Sequence, residues 1–108
     1  ITGAWVALHI AFSKLVADGN LKKIPMSDSV GAVSCGIYDG VGILDLDYPE
    51  DSNAQADANF VLTGSGGIVE IQGTAEESPF SRELFNQLLD LAFKGVGELT
   101  ALQRAAVQ

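Results

Sequence analysis

Between Asp45 and Asp57 the chain places five carboxylates within thirteen residues: Asp45, Asp47, Glu50, Asp51 and Asp57, with no Lys or Arg among them. Crowded like charges are costly unless they are solvated, protonated or bridged by a cation. Two kinds of chemistry suit such a cluster. Carboxylate oxygens are ligands for a hard ion such as Mg²⁺, and a carboxyl group beside a leaving oxygen serves in acid–base catalysis. Asp51 and Asp57 flank a bend between two expected strands, where side chains from both edges can converge on one ion. The plainer alternative is a set of solvated turn residues, and residue types and spacing leave both readings open.

Other candidates carry less. Gly64-Ser65-Gly66-Gly67 has the composition of a backbone phosphate cradle, yet it matches neither a P-loop nor a dinucleotide fingerprint. It reads better as a hairpin turn. His9 is the only histidine and is expected on the outer side of a helix, so no Ser/His/Asp set forms around it. Cys35, the only cysteine, excludes an internal disulfide and a zinc-finger pattern. Its apolar surroundings suit an inert core thiol in a reducing compartment.

The elements that must position these residues follow from periodicity. Ile1, Ala4, Trp5, Leu8, Ala11, Phe12, Leu15 and Val16 recur at spacings of three and four, predicting a helix with that stripe buried. It ends near Asp18, with Gly19 free to take the left-handed conformation. A connector through Pro25 leads to a strand from Val30 to Tyr38. Asp39-Gly40 is a two-residue hairpin signal, and Val41 to Asp47 is the return strand, with Asp45 and Asp47 on one face. A loop or a short turn of helix over 48–53 precedes a second hairpin, Asn59 to Thr63 and Ile68 to Thr74. A long helix follows from Arg82 to Val107. Ser81 is its N-cap, Phe80 and Phe85 form a hydrophobic staple, and Leu84, Leu88, Leu91, Ala92, Leu99, Leu102 and Ala106 make its buried stripe. Gly95 and Gly97 weaken that helix and permit a close contact or a kink. Helix, two hairpins and a long helix make an α+β fold, helices packed on a mixed sheet.

The 108 residues suit one domain. No run approaches the roughly 18 apolar residues of a membrane helix, so no membrane association is expected. The opening Ile1-Thr2-Gly3 has neither an initiator Met nor the basic start of a secretory signal, and reads as the middle of something longer. Net charge is −8. From Ile24 to Ser81 there are ten acidic residues and no Lys or Arg, which argues against a basic nucleic-acid surface on this chain itself.

Several blocks resemble ribonuclease PH of bacteria, in order along the chain. They are Ile1-Thr2-Gly3-Ala4, the segment from Asp45 to Asp57, Thr63-Gly64-Ser65-Gly66, and Val69-Glu70-Ile71-Gln72-Gly73-Thr74-Ala75-Glu76. Pro79-Phe80-Ser81, Leu89-Asp90-Leu91-Ala92 and Ala101-Leu102-Gln103-Arg104-Ala105-Ala106 continue the likeness. It covers essentially the whole chain as the C-terminal half of such an enzyme. Departures are Ala58 where Met is frequent, Gly67 where Arg or another longer residue is common, and Glu77 where Gly is usual.

The resemblance implies a phosphorolytic 3′→5′ exoribonuclease that trims the 3′ end of transfer RNA precursors and releases nucleoside diphosphates. Inorganic phosphate is its co-substrate and Mg²⁺ or Mn²⁺ its metal. Asp57 and Asp51 map onto the two family aspartates, Asp57 as general acid and metal ligand, Asp51 as second ligand or orienter. The phosphate-binding residues are expected upstream of Ile1, so none lies in this chain, which by itself is expected to be inactive. The resemblance further implies a hexameric ring, a trimer of dimers, in the bacterial cytoplasm. The rival reading is a non-catalytic ring-forming subunit or structural fragment, which would have no reason to keep Asp51 and Asp57.

Overall fold

The computed structural model describes residues 1–38, 40–44, 55–76 and 78–108. Helix α1 spans Thr2–Ala17 and helix α2 Arg82–Val107; between them lie β1 (Val30–Tyr38), β2 (Val41–Leu44), β3 (Ala56–Thr63) and β4 (Ile68–Ala75). The strands form one sheet in the order β2-β1-β3-β4. Every described pairing is antiparallel, so the mixed sheet expected from the sequence is corrected to an antiparallel one. β2 and β3 do run in the same direction, but β1 sits between them and no parallel ladder forms.

Local chemistry explains the boundaries. Tyr38 pairs with Val41, and Gly40 takes φ +74°, which glycine adopts without steric cost. At the end of α1, Asn20 N–H donates to Leu15 O (2.9 Å) and Gly19 N–H to Val16 O (3.1 Å). With Gly19 at φ +79°, this is the paired C-terminal closure that satisfies the last carbonyls. At the start of α2, Leu84 N–H donates to Ser81 Oγ at 3.1 Å, the capping bond expected. Phe80 and Phe85 both pack against the core.

The core lies between the sheet and α2. Val33, Cys35 and Ile37 of β1 and Ala56, Ala58, Phe60 and Leu62 of β3 meet Leu88, Ala92 and Val96 of α2. α2 lies across β1, β2 and β3, while α1 packs mainly on α2 and reaches β1 only at its flank. β4 is exposed along nearly its whole length.

Two expected helix faces are corrected. α1 buries no residue fully. Leu8 and Leu15 of its expected stripe are exposed, as are Ile1, Ala4 and Ala11, whereas Trp5, His9, Phe12 and Val16 are half-buried. α1 is apolar nearly all round, so its periodicity does not single out one face. Polar contacts decide instead: Trp5 Nε1–H donates to Asp28 O at 2.9 Å, and Gln103 Nε2–H to Thr2 O at 3.4 Å. His9 is consequently not a plain surface residue; its ring lies 5.2 Å from that of Trp5 and within 3.4 Å of Ser13 Oγ. On α2, Leu102 and Ala106 are exposed, and the buried line runs Leu88, Ala92, Gly95, Val96, Thr100, Gln103. Small and polar residues hold its second half, which a hydrophobic pattern passes over.

Gly95 marks the close contact that its position suggested. A Cβ there would stand 3.1 Å from Leu44 Cδ2 and 3.3 Å from Val33 Cγ1, whereas one at Gly97 would meet nothing within 4 Å.

Candidate active site

Asp57 lies within β3, not in the loop before it. The run Ala56-Asp57-Ala58-Asn59-Phe60-Val61-Leu62-Thr63 alternates strictly: Ala56, Ala58, Phe60 and Leu62 are buried, and the residues between them are half-buried or exposed. A strand period of two therefore puts Asp57, Asn59, Val61 and Thr63 on the face away from α2. The strand starts three residues before the Asn59 expected from sequence, because Ala56 and Ala58 alternate with the polar Asp57 and Asn59 and extend the period of two.

The neighbours of Asp57 follow from register. It pairs with Gly36 on β1 and Thr74 on β4. Gly36 brings no side chain over it, and Thr74 brings a hydroxyl-bearing one. One step along the same face Asn59 stands between Ser34 and Gln72, and Ser34 Oγ–H donates to Asn59 Oδ1 at 2.6 Å. β1 offers this face Ala32, Ser34 and Gly36, all small; Ala32 and Ser34 are exposed, while Gly36 beside the half-buried Asp57 is buried.

Gln55, which nothing in the sequence singled out, ties down the start of Asp57's strand. Its N–H donates to Ile37 O (2.7 Å), its carbonyl accepts from Glu76 N–H (3.0 Å), and its Oε1 accepts from Gly40 N–H (2.9 Å). The backbone on both sides of Asp57 is thus bonded to its neighbours before any ligand arrives.

Asp51, with Asp45, Asp47 and Glu50, lies outside the described residues. Among the described residues no three His, Cys, Asp or Glu side chains gather into a metal-holding group. Asp57 supplies one carboxylate, and its cross-strand partner Thr74 carries a hydroxyl. Oxygen donors fit Mg²⁺ or Mn²⁺, and Mg²⁺ commonly rests on one or two carboxylates with substrate phosphates completing its shell.

The Gly64–Gly67 segment is the turn of the β3–β4 hairpin. Gly64 N–H donates to Ser29 O (3.0 Å) and Gly66 N–H to Thr63 O (3.1 Å), while Gly67 N–H donates to Thr63 Oγ1 (2.8 Å). Those amides are already engaged, which disfavours an anion cradle. The turn is anchored by Asp28, whose carboxylate accepts from Ser65 Oγ–H and from Ser29 N–H at 2.8 Å. The Ser65 hydroxyl beside it holds the Asp28 carboxyl below its ordinary range. Cys35 is fully buried on the α2 side of β1, where an inert core thiol was expected.

Comparison with known proteins identifies the family of this fold. Residues 28–95 match the model of the 3′ exoribonuclease family, domain 2. Curated proteins named ribonuclease PH are similar over 107 residues: 63% identical in Rhodospirillum rubrum, 62% in Methylobacterium nodulans and 60% in Caulobacter vibrioides. Each match takes in 99% of this chain and 45% of the relative, so the chain spans a little under half their length. A crystal structure of rice (Oryza sativa) Rrp46 shares the fold, with a TM-score of 0.68 at 21% identity over 94% of this chain and 46% of that one. On the family match over residues 28–95, this chain belongs to the 3′ exoribonuclease family and carries its domain 2.

Proposed function

We propose that this chain is the C-terminal half, as a single domain, of a phosphorolytic 3′→5′ exoribonuclease that trims transfer RNA precursors. The observation that carries the reading is the position of Asp57: on a sheet face clear of both helices, with a glycine on one side and a threonine on the other. The likeness to proteins named ribonuclease PH supports the same reaction.

In that reaction an oxygen of inorganic phosphate forms a bond to the terminal phosphorus of the RNA. The bond from phosphorus to the 3′ oxygen of the preceding nucleotide breaks, and a nucleoside diphosphate leaves. The departing 3′ oxygen needs a proton, which the Asp57 carboxyl supplies as general acid. Asp57 and Asp51 would hold Mg²⁺ or Mn²⁺, which when bound offsets the negative charge that builds up on the phosphoryl oxygens. Asp51 serves as second ligand or orients the first. Phosphate is bound by residues outside this chain, upstream of Ile1. The assembled protein is a ring of six chains, a trimer of dimers, working in the cytoplasm.

The test uses a chain of the relatives' full length, given a transfer RNA precursor, phosphate and Mg²⁺. Nucleoside diphosphates should be released, and Asp57→Asn should lower kcat by about 10²–10⁴-fold, as for loss of a general acid, while RNA affinity changes only a few-fold. Release of monophosphates, or equal losses of affinity and turnover, would overturn the reading.

A further inference from the structure

The face that carries Asp57 has to meet an anionic substrate without cations of its own. No Lys or Arg occurs between Ile24 and Ser81, a span that includes all four strands. Beside the divalent ion that Asp57 and Asp51 would hold, neutral hydrogen-bond donors on this face can receive substrate oxygens without adding charge. Asn59 is placed for this. It follows Asp57 by two residues on the same face of β3, about 7 Å away at the usual strand rise, and it is exposed.

Its carboxamide is held in place. Ser34 is the residue directly opposite on β1, and its hydroxyl donates to Asn59 Oδ1 at 2.6 Å. A hydrogen bond between exposed groups adds little to stability, because water competes for both partners. It does fix a rotamer. With Oδ1 engaged by Ser34, the Nδ2 hydrogens are what Asn59 can offer a ligand, and a ligand that accepts hydrogen bonds beside the acid is a phosphodiester oxygen.

We propose that Asn59 donates to a non-bridging oxygen of the RNA's terminal linkage beside Asp57, and that Ser34 is the positioning residue that sets its carboxamide. The proposal rests on the phosphorolytic reading and adds to it the group that receives the substrate on this face.

The experiment uses the full-length chain and four variants: Asn59→Ala, Asn59→Asp, Ser34→Ala and the Ser34→Ala/Asn59→Ala pair. Each is measured for thermal unfolding, for binding of a single-stranded oligoribonucleotide without phosphate, and for phosphorolysis of the same RNA. Asn59→Ala should lower kcat/KM about 10-fold, the loss expected for one hydrogen bond to a charged group, with Tm almost unmoved because the side chain is exposed. Asn59→Asp should be worse, and its RNA-binding deficit should widen at low salt, where like-charge repulsion is less screened. Ser34→Ala should cost about 3-fold through KM alone, and should add nothing once Asn59 is Ala, as for residues acting through one another.

Asn59→Ala and Asn59→Asp both within twofold of the parent would overturn the proposal, as would a Ser34→Ala effect that simply adds to that of Asn59→Ala. If the parent releases no nucleoside diphosphate, the phosphorolytic reading fails by itself. The salt-dependent gap in RNA binding between Asn59→Ala and Asn59→Asp then decides the role of Asn59.

Discussion

Gln103 Nε2–H donates to the carbonyl of Val30 at 3.0 Å across 73 positions of sequence, and reaches Thr2 O at 3.4 Å. One carboxamide of α2 thus joins the start of β1 to the first turn of α1. Gln103 is 1% exposed, and its Oε1 has no hydrogen-bond partner among the described residues. Replacing it with Leu removes that orphan acceptor but also takes a donor from two carbonyls. Gln103→Leu should therefore destabilise the chain by about 1–3 kcal/mol, the cost of an unsatisfied buried group. Gln103→Glu should cost more, because a carboxylate would face two carbonyl oxygens. Urea unfolding checks both, and a Gln103→Leu variant as stable as the parent would show that the clamp contributes nothing.

Gly95 and Gly97 make a controlled pair on α2. Replacing a helix-interior glycine with Ala gains about 1 kcal/mol from backbone propensity alone, and at Gly97 nothing opposes that gain. At Gly95 the new methyl meets Val33 at 3.3 Å and Leu44 at 3.1 Å, and Val33 is buried and stiff about χ1. Gly97→Ala should stabilise, and Gly95→Ala should fall below it by about 1 kcal/mol or more, the scale of mild overpacking. Equal effects in thermal unfolding would mean that the helix–sheet contact is looser than the geometry indicates.

The readable parts of the fold were those fixed by short-range chemistry. Ser81 capping Leu84, Gly19 closing α1 and the turn with Gly40 between Tyr38 and Val41 each rest on a few adjacent residues. The facing of α1 was not readable, because Trp5 and Thr2 take their partners from Asp28 and Gln103, 23 and 101 positions away. At the candidate site, sequence marked Asp57 by its charge and by family likeness. Its true neighbours Gly36 and Thr74 come only from strand register.

Asp28 gives a pH dependence with a definite sign. Bonds from Ser65 and the Ser29 amide favour its charged form and lower its folded pKa. The associated stability is present in full above the ordinary Asp range of about 4, and is lost as pH falls through the lower folded value. Asp28→Asn should be less stable than the parent at neutral pH, and the gap should narrow on acidification below pH about 4. A gap that widens toward low pH would reverse the assignment. Ser65→Ala should reduce the same pH dependence, since the Ser65 hydroxyl is the first cause of the shift.

Helix α1 and strand β4 leave apolar side chains open to solvent. Ile1, Leu8 and Ile10 of α1 are 61%, 52% and 54% exposed, and Ile68 and Val69 of β4 are 53% and 61% exposed. Of the two residues expected outside the main stripe of α1, Ile10 is exposed and Val6 is half-buried. Apolar side chains gathered on one helix and one edge strand drive association, and an edge strand also offers unpaired backbone groups. The 108-residue chain should therefore sediment as larger than a monomer at high concentration and should bind a dye that reports apolar surface. Because Leu8 and Ile10 are exposed, Leu8→Glu with Ile10→Glu should shift the chain toward monomer with little change in Tm. A chain that stays monomeric and dye-free at high concentration would show that these side chains form no adhesive surface. If the double variant unfolds instead, those residues are packed more tightly than their exposure indicates.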